Sequence, residues 1–184
     1  PLPRLLTLLG PSGSGKSSVA MAGLLPALQR GELPGSQAWI YLKPVVPGQR
    51  PIEALALTLS EHFPARSIAS LEEDLRRDTA RGLHLLLTML RKRAETRVLL
   101  LIDQFEEVFT QTVSEDERRH FLDLLLTACT EPNGPGVFLL TLRADFYDRP
   151  LHYPEFGKLI DENHIVMFPM EMRDVRDVIE KPAH

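Results

Sequence analysis

The sequence feature that most constrains this chain is the segment Gly10-Pro11-Ser12-Gly13-Ser14-Gly15-Lys16-Ser17, which fits G-x-x-x-x-G-K-[ST] at every position. A short apolar run, Leu5–Leu9, precedes the segment and a helical pattern follows it. This strand-loop-helix context is the one in which the pattern forms a phosphate-binding loop. A chance match in a chain of ordinary composition has odds on the order of one per cent. A flexible Gly/Ser-rich linker is therefore the weaker interpretation.

The segment is a Walker A motif, and we expect it to hold a nucleoside triphosphate with Mg²⁺. Glycines let successive backbone N–H groups point at phosphate oxygens, and the helix that begins near Lys16 adds the positive end of its dipole. Lys16 is expected to reach the β- and γ-phosphates, and the Ser17 hydroxyl to ligate Mg²⁺. The predicted nucleotide-binding residues of the loop are Gly10, Pro11, Ser12, Gly13, Ser14, Gly15, Lys16, Ser17 and Ser18.

An acidic residue follows the apolar run Val98–Ile102, which is typical of a strand buried on both faces. Asp103 is the first polar residue after that run, so we expect it at the C-terminal edge of the sheet, where ligands of open α/β sheets bind. A carboxylate there can hold Mg²⁺, as a Walker B aspartate does. The alternative is that Asp103 only caps the next helix.

The residues after Asp103 do not identify which carboxylate is catalytic. Many P-loop ATPases place a glutamate directly after the metal aspartate, whereas this chain has Gln104 there. Glu106 and Glu107 come three and four residues beyond Asp103, and either could orient the attacking water. Both could also be a solvated pair of charges in the first turn of a helix.

A third apolar run, Val137–Leu142, ends in polar groups in the same way. If this strand lies between the other two, Thr141 and Arg143 point at the γ-phosphate. A guanidinium there distinguishes a triphosphate from a diphosphate through a bidentate contact. The alternative is a surface Arg143 paired with Asp145.

Strands that alternate with helices predict a three-layer α/β fold, with a mostly parallel sheet covered on both faces. The predicted strands are Leu5–Leu9, Ala38–Leu42, Val98–Ile102, Val137–Leu142 and His164–Phe168. The predicted helices are 16–29 with a break near Pro26, 52–62, a segment from a Ser70/Glu73 capping box through 83–90, one opened by Ser114 and Glu117, and one from about 171.

Composition limits the classes of partner that we expect for this chain. A net charge of -4 and a pI near 5.9 give no support to nucleic-acid binding. The sequence has no apolar run near the roughly 20 residues that cross a bilayer, so we expect no membrane partner. A single cysteine, Cys129, excludes an internal disulfide and favours packing in a reducing compartment, so we expect a cytoplasmic domain. The start at Pro1 suggests a domain cut from a longer chain.

Together these elements resemble the STAND class of signalling ATPases, most closely the bacterial type found in large proteins with β-propeller or other repeats. The sequence stretches LIDQFEEVF and TLRADFYDR are much more specific than the phosphate loop. The matching segments are Gly10–Leu28, Pro44–Leu59, Leu101–Phe109, Thr141–Arg149 and Phe168–Ala183.

The resemblance implies a five-stranded sheet of order 5-1-4-3-2, as in AAA+ and STAND domains, with ATP as ligand, slow hydrolysis and use of ATP and ADP as a switch. Related NACHT domains also carry acidic residues three and four positions after the metal aspartate, which match Glu106 and Glu107. The family's arginine sensor corresponds to Arg143. Members continue into a lid and a sensor region, which implies a core at 1–170 and the start of a lid at 171–184.

Three functions follow as hypotheses. The first is a regulatory ATPase switch, held closed by ADP and released by ATP for self-association, in which the lid and the repeat sensor are partners. The second is a small-molecule kinase, which needs a clamp cluster and a mobile lid. The third is a non-hydrolysing module that nucleotide only stabilises. The ABC transporter ATPases are set aside, because no L-S-G-G-Q segment occurs.

Overall fold

The sheet is built from the buried apolar runs of the sequence. The computed structural model describes residues 4–77, 80–91 and 93–168. Its strands are β1 (Leu5–Gly10), β2 (Ile40–Tyr41), β3 (Val98–Ile102), β4 (Gly136–Arg143) and β5 (His164–Val166). All neighbours pair in parallel in the order β2-β3-β4-β1-β5, which confirms the expected order 5-1-4-3-2. The third polar-ended strand thus lies between the other two.

The helices connect successive strands across the faces of the sheet. They are α1 (Lys16–Ser18), a π-helical segment (Val19–Leu24), α2 (Leu25–Gln29), α3 (Pro51–Ser60), α4 (Ile68–Arg76), α5 (Gly82–Leu90), α6 (Glu107–Thr110), α7 (Glu115–Thr130), α8 (Asp148–Leu151) and α9 (Pro154–Glu162). Short 3₁₀ turns occur at Ser36–Ala38 and Ala144–Phe146.

The helix after the phosphate loop does not break near Pro26, so that prediction is wrong. Pro26 has no N–H to donate to the carbonyl of Ala22, as an α-helix would require. The wider π-helical turns end at Leu24, just before this proline, and the Leu25 amide donates to the carbonyl of Ala20. The helix therefore continues past Pro26 to Gln29.

The two faces of the sheet are covered unequally. Alternate residues of the strands, among them Leu100, Phe138 and Leu140, join a large buried cluster with the apolar sides of α3, α4, α5, α7 and α9. The other face carries a small cluster of Leu8, Ala20, Leu101 and Leu139 beneath the helical run from α1 to α2. The predicted three-layer α/β fold is confirmed, with the helix of the phosphate loop alone in its layer among the described residues.

Element boundaries differ from the prediction where tertiary contacts decide them. The helix expected from Ser70 begins after Ser67, whose side chain accepts from the Ser70 amide, and it ends before a separate α5. Ser114 caps α7 as predicted, accepting from Glu117 N. Strands β2 and β5 are shorter than expected, because each has pairing partners over only two or three residues. The helix predicted from about 171 lies outside the described residues.

The lone cysteine packs in the core. Cys129 is buried in α7, and burial raises the pKa of its thiol above the ordinary value. This agrees with a packing role. Separately, no helix in the described ranges is long and apolar enough to cross a membrane.

Candidate functional site

The phosphate loop joins β1 to α1 and has the backbone that its glycines allow. Gly13 and Gly15 adopt φ values of 74° and 82°, in the left-handed region that favours glycine. At Gly10, a Cβ would lie 2.6 Å from the carbonyl oxygen of Met167 and 2.8 Å from Ser14 Oγ, so no larger residue fits. The loop therefore wraps closely at the end of β1.

Lys16 lies across the inside of this loop. Its Nζ donates to the carbonyl oxygens of Gly10 at 2.8 Å and Pro11 at 2.7 Å, and only 8% of the residue is exposed. Burial lowers the pKa of the Lys16 ammonium, and the nearby carboxylate of Glu106 opposes that shift. Carbonyl oxygens and a carboxylate thus compensate the positive charge of the buried ammonium group.

The loop offers hydrogen-bond donors that fit a phosphate. Within the part of the chain that the structure describes, the amides of Gly13 and Gly15 donate to no protein acceptor. Ser14 Oγ is buried and lacks a protein partner in the same ranges. Buried polar groups are normally paired, so an anion that accepts from these donors would satisfy them. Together with Lys16, they fit the phosphates of a nucleotide.

Two predicted metal ligands meet beside the loop. Ser17 Oγ donates a 2.7 Å hydrogen bond to Oδ1 of Asp103, which is 4% exposed and directly follows β3. A hydroxyl and a carboxylate are the oxygen ligands that Mg²⁺ takes alongside waters and phosphate oxygens. The donor set at the end of β3 therefore fits Mg²⁺, held by Ser17 and Asp103.

Thr141 has a role that sequence reasoning missed. Its hydroxyl donates to Asp103 Oδ1 at 2.5 Å and accepts from the Gln104 amide at 2.9 Å. The register of β3 and β4, in which Ile102 pairs with Leu140, brings Thr141 beside Asp103. The adjacency of the two strands is the signal for this contact, whereas the sequence analysis predicts a contact of Thr141 with the γ-phosphate. A contact between Thr141 and nucleotide stays a prediction.

The chain turns sharply between the metal aspartate and the core. Gln104 has φ 54°, in the left-handed region, while Asp103 faces the site and Phe105 is fully buried. Phe105 stacks on Phe156 with ring centroids 5.6 Å apart, and its amide donates to the Thr141 carbonyl. Burial of Phe105 therefore fixes the turn that the strained Gln104 backbone makes.

The two candidate glutamates point to different partners. Glu106 is 9% exposed, and its Oε2 accepts from the Arg143 amide at 3.3 Å. Glu107 Oε2 instead accepts from the Gly48 amide at 3.2 Å, in the loop between β2 and α3. Of the two, Glu106 is the one whose charge acts on the pKa of Lys16.

Arg143 is beside the phosphate loop through its backbone, because it pairs with Gly10 across β1 and β4. Its guanidinium forms hydrogen bonds to Asp145, at 3.1 Å from Nε and 2.5 Å from Nη2, and lies 5.1 Å from the centre of the Phe146 ring. The hydrogen bonds raise the pKa of Arg143 and lower that of Asp145. The guanidinium of Arg143 is thus paired with Asp145, and the sensor role of Arg143 stays a prediction.

Comparison with known proteins gives a family match over nearly the whole chain. The sequence profile of the family described as Novel STAND NTPase 1 matches residues 2–184. No curated protein sequence matches.

Solved structures share the fold. The Aeropyrum pernix ORC2 protein, described as ADPNP-ADP complexes, is similar with a TM-score of 0.62 and 11% identity, over 96% of this chain and 44% of that one. The Walker-type ATPase paby2304 of Pyrococcus abyssi is similar with a TM-score of 0.55 and 16% identity, over 97% of this chain and 54% of that one. The chain thus spans about half the length of these proteins.

Proposed function

This chain belongs to the Novel STAND NTPase 1 family, and from that premise we propose that it is an ATP-binding, slowly hydrolysing domain that acts as a nucleotide-dependent switch. The observation that carries the proposal is the contact between Ser17 and Asp103, 2.7 Å apart, beside a phosphate loop whose interior holds Lys16. Residues that follow β1 and β3, the strands on either side of β4, there form one site for a phosphate and a divalent cation.

Each group of the site has a role in this proposal. The free loop amides and Lys16 bind the phosphate oxygens, and Lys16 leaves the carbonyls of Gly10 and Pro11 to do so. Ser17 and Asp103 hold Mg²⁺, which supplies positive charge against the phosphate oxygens when bound. Thr141 keeps the Asp103 carboxylate oriented toward the loop.

Glu106 is the carboxylate that we assign to the attacking water. It is nearly buried, lies close enough to Lys16 to influence its pKa, and is held by the Arg143 amide. A carboxylate in that position can orient a water and accept its proton. Glu107 is engaged by Gly48 instead, which supports the choice.

The switch follows from the pairing of Arg143. Its guanidinium forms an ion pair with Asp145. A γ-phosphate offers a bidentate partner that a diphosphate lacks, so ATP competes with Asp145 for Arg143 more strongly than ADP does. Ligands shift an equilibrium only through such differential affinity.

We also propose that the partners implied by the family act on this switch. The ATP-bound state self-associates, and a lid and a repeat sensor act on the core in the longer protein. The single, buried cysteine favours a reducing compartment, and we propose the cytoplasm.

The first test is calorimetric titration of Mg-ATP, Mg-ADP and Mg-GTP, with Lys16→Ala as the control. We expect adenine nucleotides to bind the wild type and to bind the variant at least about tenfold more weakly, since a charge-assisted hydrogen bond contributes about 1.5–3 kcal/mol. A folded wild type that binds none of the three nucleotides would overturn the proposal.

The second candidate function, a non-hydrolysing module, is favoured by one observation. Gln104 occupies the place directly after Asp103, and it is exposed with a left-handed backbone. Release of phosphate from Mg-ATP separates the two functions. Turnover that Glu106→Gln removes without loss of ATP binding supports the hydrolytic function, and binding without turnover supports the module.

A further inference from the structure

We propose that Glu107 is a positioning residue, which holds the turn that carries Glu106 against the loop between β2 and α3 and takes no proton in the reaction. This inference rests on the proposed function, because it assigns a role within the same hydrolytic site. It separates two adjacent carboxylates that the sequence left equivalent.

Gly48 is held on both sides by the segment that follows β3. Its amide donates to Glu107 Oε2 at 3.2 Å, and its carbonyl accepts from Thr112 Oγ1 at 3.2 Å. Its φ of 60° is in the left-handed region, which glycine adopts without strain. We call these two hydrogen bonds the Gly48 clasp.

The clasp extends an attachment that begins on the sheet. Val45, 2% exposed, forms an isolated parallel bridge with Ile102 at the end of β3. The Val45 amide donates to the Leu101 carbonyl at 2.9 Å, and the Asp103 amide donates to the Val45 carbonyl at 2.8 Å. The loop therefore follows β3 as far as the metal aspartate, and the clasp then fastens it to α6.

The Gly48 clasp fixes the rotation of α6, a helix that is not stable by itself. Helix α6 has only four residues, too few for its internal hydrogen bonds to stabilise it alone. Glu107 at its first position and Thr112, two residues beyond its end, attach it to Gly48. Arg118 donates to the carbonyl oxygens of Val108 and Thr112. A rotation of α6 would carry Glu106, which caps it, away from the Arg143 amide.

The backbone contacts agree with this division. Glu106 Oε2 accepts from the amide of Arg143, the residue that pairs with Gly10 of the phosphate loop. Glu107 has its carboxylate turned to the Gly48 amide instead. Glu106 is therefore beside the phosphate site, and Glu107 acts on it through the backbone of the turn.

The two roles require different chemistry of the same side chain. A positioning residue needs only an oxygen that accepts from the Gly48 amide, which glutamine provides as well as glutamate. A group that takes a proton from water needs the carboxylate itself. Glutamine should therefore substitute for Glu107 and fail at Glu106.

The experiment measures phosphate release over a range of Mg-ATP for Glu107→Gln, Glu107→Ala and Glu106→Gln. We expect Glu107→Gln to retain most of the turnover. Glu107→Ala should lower kcat by about tenfold to a hundredfold with little change in KM, because a catalytic group displaced by about 1 Å costs that much. Glu106→Gln should remove turnover and leave ATP binding in place.

Amide hydrogen exchange at Gly48 gives a second readout that does not depend on turnover. Exchange should be about fivefold faster in Glu107→Ala, because the hydrogen bond that protects the amide is lost, and near the wild-type rate in Glu107→Gln. Thr112→Val, with Thr112→Ser as its matched control, removes the other half of the clasp and should also lower kcat.

Two results would overturn the inference. One is a folded Glu107→Gln as inactive as Glu106→Gln, which would place the Glu107 carboxylate in the chemistry. The other is unchanged Gly48 exchange in Glu107→Ala. If the wild type hydrolyses nothing, the hydrolytic part of the proposed function fails, and the exchange rates still decide whether Glu107 holds Gly48.

Discussion

Thr141 holds the carboxylate of Asp103 from the neighbouring strand, with 2.5 Å between the hydroxyl oxygen and Oδ1. The same hydroxyl accepts from the Gln104 amide, so its proton is directed to the carboxylate. Ser17 donates to the same Oδ1 from the phosphate loop. One carboxylate oxygen thus connects β3, β4 and the loop.

Replacement of Thr141 by valine should destabilise the protein by about 1–3 kcal/mol, the cost of leaving buried polar partners without their hydrogen bond. Valine keeps the shape of threonine, so packing changes little. Urea denaturation without nucleotide measures the effect. Thr141→Ser, which keeps the hydroxyl, is the control and should lose much less. Equal stability of the valine variant and the wild type would show that the hydroxyl contributes nothing.

Removal of the Asp145 carboxylate should raise the preference for ATP over ADP. In Asp145→Ala the guanidinium of Arg143 loses its carboxylate partner, so a γ-phosphate no longer has to displace that partner. We expect the ratio of the two dissociation constants to change severalfold. Calorimetry with both nucleotides measures it. Asp148→Ala is the control, because the ion pair of Asp148 is with Arg149, at 3.9 Å. A ratio that Arg143→Ala leaves unaltered would exclude Arg143 as the sensor.

Two helical glycines should respond to alanine in opposite directions. At Gly157 in α9 a Cβ would lie 2.8 Å from the Leu151 Cα and 2.9 Å from the Pro150 carbonyl oxygen, so Gly157→Ala should destabilise by about 1–3 kcal/mol. A Cβ added at Gly23 would have no atom within 4 Å outside its own helix backbone and chain neighbours. Gly23→Ala should therefore stabilise by about 0.5–1 kcal/mol. Thermal or urea denaturation of both variants checks the pair. A stable Gly157→Ala would mean that α8 and α9 can separate at little cost.

Stability should fall as the pH drops below the ordinary pKa of histidine, in part because of His84. Burial lowers the pKa of His84, with Arg81, Arg4 and Arg91 adding to the shift and Glu131 opposing it. Its Nδ1 is buried and has no partner in the described ranges. The unfolded chain therefore takes up a proton on His84 at a higher pH than the folded protein does, so protonation favours unfolding as the pH falls below about 6.5.

His84→Leu should remove this part of the pH dependence. The measurement compares the free energy of unfolding at about pH 7.5 and about pH 5.5, where the wild type should lose more stability than the variant. At the higher pH His84 is neutral in both the folded and the unfolded state, so any difference there reports packing alone. An equal loss in both proteins would assign the pH dependence to other groups.

The sequence was sufficient for the parts of the fold that local pattern determines. Three strands, each with a polar group at its end, were predictable in this way. They are the strand before the glycine-rich loop and the apolar runs before Asp103 and Arg143. Because parallel strands end at one edge, those runs also predicted which residues meet. Ser17 and Asp103 are in contact, although the two residues are far apart in the chain.

Other parts depend on contacts that no local pattern contains. The direction of Glu107 is set by Gly48, which is 59 positions away, and the turn at Gln104 is set by burial of Phe105 against Phe156. Helices α6 and α8 have four residues each, so packing rather than periodicity stabilises them, and neither was predicted. The same holds for the true start of α4 after Ser67, next to the Arg66 side chain that reaches to Ser70.

The unequal covering of the sheet has a mechanical consequence. Among the residues that the structure describes, the helix that begins at Lys16 packs on its face of the sheet through few buried side chains, chiefly Ala20 against Leu8, Leu101 and Leu139. A small displacement of this helix therefore exposes little apolar area and costs little free energy, whereas the opposite layer could not shift without disrupting most of the core. The sheet thus has one face with a large buried core and one face with a small one, and the helix on the second face carries Lys16 and Ser17.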